Sequence, residues 1–170
     1  MLLGMSVSAF TTFHVILSLV GIAAGFVVLF AMLGSRHLPR WTALFLATTI
    51  LTSLTGYLFP RDHILPSHVV GALSLVVLAV TLYALYGRRL HGSWRAIYVI
   101  GSALALYFNA FVLVVQSFQK IPSLAALAPT QSEPPFVIAQ ALVLVAFVVL
   151  GYRAVRAFHP AVDGMAARPA

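Results

Sequence analysis

The sequence predicts an all-α integral membrane protein built as a helical bundle, and two observations support this fold class. The first is composition: 62% of the 170 residues are apolar and 8% are charged, whereas soluble domains are about half apolar and about a quarter charged. Disorder is excluded as well, because it requires low hydrophobicity and many charges. The second is the arrangement of the apolar residues in five runs, each long enough to cross a hydrocarbon core of about 30 Å as a helix.

The five predicted transmembrane helices cover residues 10–33, 41–59, 67–86, 94–118 and 135–152. Glycine and proline stand at the joints between them, for example Gly34 and Pro39 after the first run and Pro134 before the last. We therefore expect residues 1–158 to form one transmembrane bundle. Residues 159–170 are expected to form a short, disordered cytoplasmic tail.

Positive charge is distributed unevenly about the predicted helices. The chain has 10 Lys and Arg against 3 Asp and Glu. Arg61 and Lys120 fall on one side of the predicted membrane. Because cytoplasmic loops collect Lys and Arg, this asymmetry predicts an N-terminus outside and a C-terminus in the cytoplasm. Basic residues at helix ends are a topology signal, so the lipid bilayer is the expected partner and nucleic acid is excluded. The other side holds eight arginines: Arg36, Arg40, Arg88, Arg89, Arg95, Arg153, Arg156 and Arg168.

The residue types that the chain lacks exclude several classes of functional site. The chain has no cysteine, which excludes disulfides, thiolate metal sites and cysteine nucleophiles. No predicted helix carries an acidic or basic residue deep within it, and proton-driven transporters and pumps usually need one. The His-Glu-x-x-His and Gly-x-Ser-x-Gly motifs of hydrolases are also absent. The sequence therefore favours a protein that is not an enzyme.

Neutral polar residues of the predicted helices gather in the outer half of the membrane. His14 and His68 open two helices that both run inward, so we expect the two side chains to lie at similar depth. The fourth and fifth helices contribute amide groups, and Tyr57 contributes a phenol beside the outer loop that follows the second helix. The candidate ligand-binding residues are Tyr57, His14, His68, Asn109, Gln116 and Gln140.

One interpretation of these residues is a cofactor site. His14 and His68 would bind the iron of a single b-type haem as its axial ligands, with small residues beside them that let the porphyrin approach the backbone. A quinone head group near Asn109, Gln116 or Gln140 would then be the electron partner. A lipid-like small molecule is the other expected ligand. One haem is too few to carry electrons across the bilayer, so this interpretation describes a carrier that works at the outer face.

The other interpretation is helix packing, and the sequence favours it. Gly21 and Gly25 form the small-residue motif that lets transmembrane helices approach closely, and Asn109 and Gln140 would hydrogen-bond to neighbouring helices. Threonines of the second run are expected to bond the carbonyl one turn back in their own helix. The protein is then a non-enzymatic ligand-binding or accessory membrane protein, which works alone, as a homo-oligomer or with a partner membrane subunit.

The longest outer loop is the segment 119–134. Its residues 122–128 are predicted to form a short interfacial helix, and Pro129, Pro134 and Pro135 stiffen the remainder. A lid over the outer site and a partner-docking surface are the functional interpretations. A plain connector is the favoured one.

Several stretches resemble known membrane proteins. Residues 107–111 (Tyr-Phe-Asn-Ala-Phe), 116–118 (Gln-Ser-Phe) and 128–136 (Ala-Pro-Thr-Gln-Ser-Glu-Pro-Pro-Phe) are similar to small bacterial inner-membrane proteins without assigned function. His14, residues 56–60 (Gly-Tyr-Leu-Phe-Pro) and His68 are similar to multi-span families with a cytochrome-b-like layout. The resemblance implies a multi-pass protein of the bacterial cytoplasmic (inner) membrane and agrees with the haem interpretation. It implies no catalytic residue.

Overall fold

A computed structural model describes residues 4–59 and 66–160, without the side chains of Pro66 and Ser67. Every regular element of this part of the chain is helical. The helices are α1 (Val7–Leu33), α2 (Pro39–Gly56), α3 (Pro66–Leu82), α4 (Trp94–Lys120), α5 (Pro122–Leu127) and α6 (Pro134–Ala157). A π-helical turn, Tyr83–Gly87, extends α3. Arg61 and most of the predicted tail lie outside the described residues.

Four helical segments are long and apolar enough to cross a membrane: Val7–Leu33, His68–Gly87, Trp94–Lys120 and Pro134–Ala157. They correspond to the first, third, fourth and fifth predicted runs, and the last continues five residues beyond the predicted end at residue 152. The second run forms α2, an 18-residue helix that is less apolar because it begins Pro-Arg-Trp and contains five threonines. The prediction of an all-helical protein is therefore confirmed for the described residues, with four helices long and apolar enough to cross a membrane.

Local sequence signals explain where the helices begin and end. Ser6 caps α1 by accepting a hydrogen bond from the Ala9 N–H over 3.2 Å, and α1 ends at Gly34. Both α2 and α6 start with proline in their first turn, where the missing N–H has no helical partner in any case. The short helix α5 also begins with proline, which confirms the predicted helix in the loop 119–134.

Helices α1 and α2 pack antiparallel along most of their length. A Cβ built on Gly21 would lie 3.0 Å from Thr48 Oγ1, and one on Gly25 would lie 2.8 Å from the ring of Phe45. The later residue of α1 therefore meets the earlier residue of α2, as expected for antiparallel helices. Helix α4 packs on the same core through Leu106, which is 1% exposed. Helix α6 is the most peripheral of the long helices, since Phe147 and Ala154 are its only buried residues.

Most arginines of the described chain lie at one end of the bundle, which we call the arginine end. There Arg95 of α4 donates hydrogen bonds to the carbonyls of Val155 and Phe158 at the close of α6. A guanidinium at this position satisfies carbonyls that have no partner within their own helix. The His159 N–H donates to Ser35 Oγ over 2.8 Å, which ties the end of α6 to the α1–α2 connection.

Candidate functional site

Polar residues of α1, α3 and α4 meet hydroxyl groups of α2 in the half of the bundle away from the arginine end. His14 of α1 makes one of these contacts: its Nδ1 lies 2.8 Å from Thr55 Oγ1. The same hydroxyl donates to the Leu51 carbonyl over 2.7 Å. Both bonds form together only when Nδ1 of His14 carries the proton and donates to Thr55, because a hydroxyl has one proton to give. His14 Nε2 is then the acceptor nitrogen of the ring.

His68, the second predicted histidine, contacts Tyr57, the residue directly after α2. Its ring stacks on Tyr57 with centroids 5.4 Å apart, and Tyr57 Oη donates to the His68 carbonyl over 2.6 Å. The Tyr57 ring also covers Gly71, where a Cβ would lie 3.2 Å from Tyr57 Oη. His14 and His68 are thus each held against the last turn of α2.

Nearer the arginine end than His14, a side-chain hydrogen bond joins α2 to α4. Asn109 donates from Nδ2 to Thr49 Oγ1 over 3.2 Å, and Thr49 is fully buried. Asn109 therefore has the interhelical hydrogen bond that the packing interpretation predicts. Amide donors in a transmembrane bundle need such partners, because lipid offers none.

A buried hydroxyl lies between these two contacts without a partner of its own. Thr52 Oγ1 is buried and has no hydrogen-bond partner in the structure. Thr52 follows Thr49 and precedes Thr55 by three residues each, or about 4.5 Å of helix rise in either direction. We call His14, Thr55, Thr52, Thr49 and Asn109 the α2 polar row. Leaving a hydroxyl unpaired in an apolar interior costs about 1–3 kcal/mol, so Thr52 is the position where the row is incomplete.

An apolar layer ends the α2 polar row in the middle of the bundle. Phe45 and Leu106 are each 1% exposed and occupy the space beside Gly25. Beyond this layer, Thr42 Oγ1 lies 3.3 Å from Tyr98 Oη, nearer the arginine end. In the part of the chain that the structure describes, the polar row therefore belongs to one half of the bundle and does not continue across it.

The two glutamines among the predicted site residues lie away from the α2 polar row. Gln140 of α6 donates from Nε2 to the Phe111 carbonyl over 3.2 Å, while its Oε1 is buried and has no partner. Phe111 is two residues from Asn109, and residues two apart point to different sides of a helix. Gln116 is exposed. The predicted residues thus divide into a group around α2 and two separate glutamines.

The glycines that the haem interpretation places beside the porphyrin are covered by side chains. Tyr57 lies over Gly71, Thr48 over Gly21, and Phe45 with Leu106 over Gly25. The small residues thus accommodate neighbouring helices, which supports the packing interpretation at these positions.

The threonines of α2 do more than the sequence predicts. Thr48 and Thr55 donate to Leu44 and Leu51, four residues back, as expected for hydroxyls in a transmembrane helix. Thr49 and Thr55 also bond residues of other helices. The available signal was the spacing of Thr48, Thr49, Thr52 and Thr55, which places all of them on one side of α2.

The loop between α4 and α6 is tied to α4 by a side-chain hydrogen bond. Gln131 donates to the Val115 carbonyl over 3.1 Å, which ties the loop to α4. Thr130 and Ser132 donate hydrogen bonds to the Glu133 carboxylate. Partial desolvation raises the pKa of Glu133, but these hydrogen bonds outweigh it, and the pKa lies below its usual range.

Comparison of the chain with protein-family models, curated proteins and solved structures finds no match. The similarity to small inner-membrane proteins and to cytochrome-b-like layouts therefore stays a prediction from the sequence.

Proposed function

We propose that this chain is a non-enzymatic protein of the bacterial inner membrane that binds a small, largely apolar molecule in the outer half of the bilayer. The observation that carries the proposal is the buried Thr52 hydroxyl, which lies unpaired between two hydrogen-bonded contacts of the α2 polar row. A polar atom of a ligand placed there would complete the row. The ligand would otherwise meet apolar surface, as in most small-molecule sites.

The membrane arrangement in this proposal has five spans, with the N-terminus outside. Antiparallel packing of α2 on α1, from His14–Thr55 to Gly25–Phe45, supports α2 as a fifth span, because α2 covers most of the depth that α1 covers. The excess of arginine at one end supports a cytoplasmic location for that end. The α2 polar row then lies in the outer half.

A quinone head group fits this chemistry best. Its carbonyl oxygens accept hydrogen bonds, and Thr52 offers a hydroxyl proton that no described residue accepts. Its ring and isoprenoid tail are apolar and already dissolve in the bilayer. The reduced form carries hydroxyls and would instead donate to Thr52 Oγ1.

Binding of a short-chain quinone to the purified protein tests the proposal. Wild type is compared with Thr52→Val, which keeps the shape of the side chain and removes the hydroxyl. Ser74→Ala is the matched control, since Ser74 Oγ is also buried without a partner but belongs to α3. One hydrogen bond contributes about 1 kcal/mol, so Thr52→Val is expected to weaken binding about fivefold.

The outcomes separate a ligand site from a packing defect. Saturable binding that Thr52→Val weakens and Ser74→Ala leaves unchanged supports the proposal. Absence of saturable binding by wild type contradicts it. Equal affinity for wild type and Thr52→Val also contradicts it, because the ligand would then make no hydrogen bond to the Thr52 hydroxyl. An ordered water would instead be the partner that completes the row.

A one-haem electron carrier is the second candidate, and the His14–Thr55 contact favours it. Histidines that ligate a metal through Nε2 usually donate Nδ1–H to a neighbouring acceptor, as His14 does when Thr55 bonds Leu51. The test is the visible spectrum of protein from cells supplied with a haem precursor, oxidised and then reduced with dithionite. A Soret band with sharp α and β bands, lost in both His14→Ala and His68→Ala, supports this candidate. A colourless protein rejects it.

A further inference from the structure

The arginine end exposes positive charge that no carboxylate of the described segments balances. Glu133, at the opposite end, is the only acidic residue in the two described segments, 4–59 and 66–160. Arg95 is engaged with backbone carbonyls of α6. Six further arginines of this end are exposed: Arg36, Arg40, Arg88, Arg89, Arg153 and Arg156.

Two of these arginines are adjacent in a tightly fixed turn that joins α3 to α4, residues 88–93. The π-helical end of α3 holds the turn, because the Arg88 N–H donates to the Tyr83 carbonyl over 2.8 Å. The Leu90 N–H donates to the Ala84 carbonyl over 3.1 Å, and the Leu90 side chain is buried. Arg89 and Leu90 both have positive φ, 47° and 61°, a conformation that L-residues adopt only when the surroundings impose it.

The Arg88 guanidinium is held on an aromatic platform. It lies 5.4 Å from the centroid of the Trp94 ring, which is close enough for a cation–π interaction. Trp94 is held in turn by an edge-to-face contact with Tyr83, with centroids 5.1 Å apart. Tryptophan and tyrosine favour the depth of lipid head groups. Arg88 is therefore presented at that depth, with Arg89 beside it.

We propose that the turn of residues 88–93 binds the phosphate of an anionic phospholipid from the surrounding bilayer. Arginine forms paired hydrogen bonds to phosphate oxygens, and basic clusters between transmembrane helices recognise anionic head groups. The lipid tails would lie along the exposed apolar residues of α3, such as Val76 and Val80, which are 63% and 45% exposed. Charge complementarity selects this occupant over zwitterionic lipid.

The test is retention of phosphatidylglycerol against phosphatidylcholine, measured by native mass spectrometry of the whole chain in detergent. The double variant Arg88→Gln/Arg89→Gln is compared with Arg153→Gln/Arg156→Gln, which removes the same charge from the same end. Each arginine beside an anionic head group contributes about fivefold in affinity. We therefore expect the first pair to weaken phosphatidylglycerol binding about twentyfold, and the control pair to change it less than about threefold. Trp94→Leu should give an intermediate loss because it removes only the platform.

Three results would overturn the proposal. Equal weakening by both double variants would mean that binding follows total charge rather than this turn. Equal retention of the two lipids by wild type would remove the selectivity. Displacement of phosphatidylglycerol by excess inorganic phosphate would assign the turn to a soluble phosphate instead of a lipid.

Discussion

Gly25 has less space around it than Gly21, the other glycine of α1. A Cβ at this position would lie 2.6 Å from Leu106 Cδ1 and 2.8 Å from the Phe45 ring, so the apolar layer must shift to admit one. We expect Gly25→Ala to lower the free energy of unfolding in detergent by about 1–3 kcal/mol. Gly151→Ala is the control, because its Cβ would make an ordinary contact of 3.5 Å with Ala103. A neutral Gly25→Ala would show that the layer is loosely packed.

His37, in the connection between α1 and α2, should make stability depend on pH. Burial lowers the pKa of His37, its Nε2 is buried without a partner, and its ring lies edge-on to Tyr98 at 6.2 Å. The unfolded chain then takes up a proton near the ordinary pKa of about 6.5, before the folded protein does. Stability is therefore full above that pH and falls as the pH drops through it. His37→Phe should reduce the dependence of the free energy of unfolding on pH in this range. An unchanged slope in the variant would contradict the assignment.

Single residues show both what the sequence could predict and what it could not. The close approach at Gly21 and Gly25 was predictable, because small residues four apart are a known packing pattern. The pairing of His14 with Thr55 was not, because it joins residues 41 apart and depends on how α1 and α2 are aligned. Sequence periodicity gives the face of each helix but not its alignment with a neighbour.

The end of helix α6 receives two hydrogen bonds from a single side chain of α4. Arg95 donates to the Val155 and Phe158 carbonyls, and a cation at a helix C-terminus also interacts favourably with the helix dipole. Hydrogen bonds from a charged donor contribute about 1.5–3 kcal/mol, so Arg95→Met should destabilise the protein by that order. Hydrogen exchange should rise first in residues 150–158. Arg153→Met is the control, because Arg153 is an exposed arginine of the same helix, and it should leave hydrogen exchange unchanged. Equal effects of the two variants would show that the Arg95 hydrogen bonds do not stabilise the end of α6.

Helix α2 is the element for which the sequence was least sufficient. Its position and helical form were predicted, and back-bonding of its threonines was confirmed for Thr48 and Thr55. Its contacts with three other helices were not predicted, because hydroxyls that bond their own helix can also accept from another. Asn109 and His14 were identified by residue type, whereas Thr49, Thr52 and Thr55 gained a role only from tertiary packing.

The five-span arrangement of the bundle places each loop on a defined side of the membrane. The natural chain has no cysteine, so single cysteines report their own accessibility. Ser8→Cys and Ser123→Cys, both at exposed positions of the end opposite the arginines, should react with a membrane-impermeant maleimide in intact cells. Ser93→Cys at the arginine end should react only after the cells are opened. Labelling of Ser8→Cys and Ser123→Cys from different sides would exclude the five-span arrangement.

The bundle architecture follows from composition and helix length, which is why it was predictable from sequence. The grouping of the candidate site was predicted only in part: His14 and Asn109 contact α2, and His68 contacts Tyr57 directly after α2. Gln116 and Gln140 do not join them, because the rotation of α4 directs Gln116 outward and α6 packs on another side of α4. The position of a residue within an apolar run predicts its depth in the membrane. The rotation of each helix about its axis depends on packing against its neighbours, which the sequence does not reveal.

The free energy of unfolding, measured for wild type and Thr52→Val with and without saturating short-chain quinone, tests directly whether a ligand binds at Thr52. Without ligand, Thr52→Val should equal or exceed wild type by up to about 1 kcal/mol, because it removes an unpaired buried hydroxyl. With quinone, wild type should gain about 1 kcal/mol more than the variant, as expected for fivefold tighter binding. The variant's advantage should then disappear or reverse. An identical gain in both proteins, or no gain in either, would contradict a ligand site at Thr52.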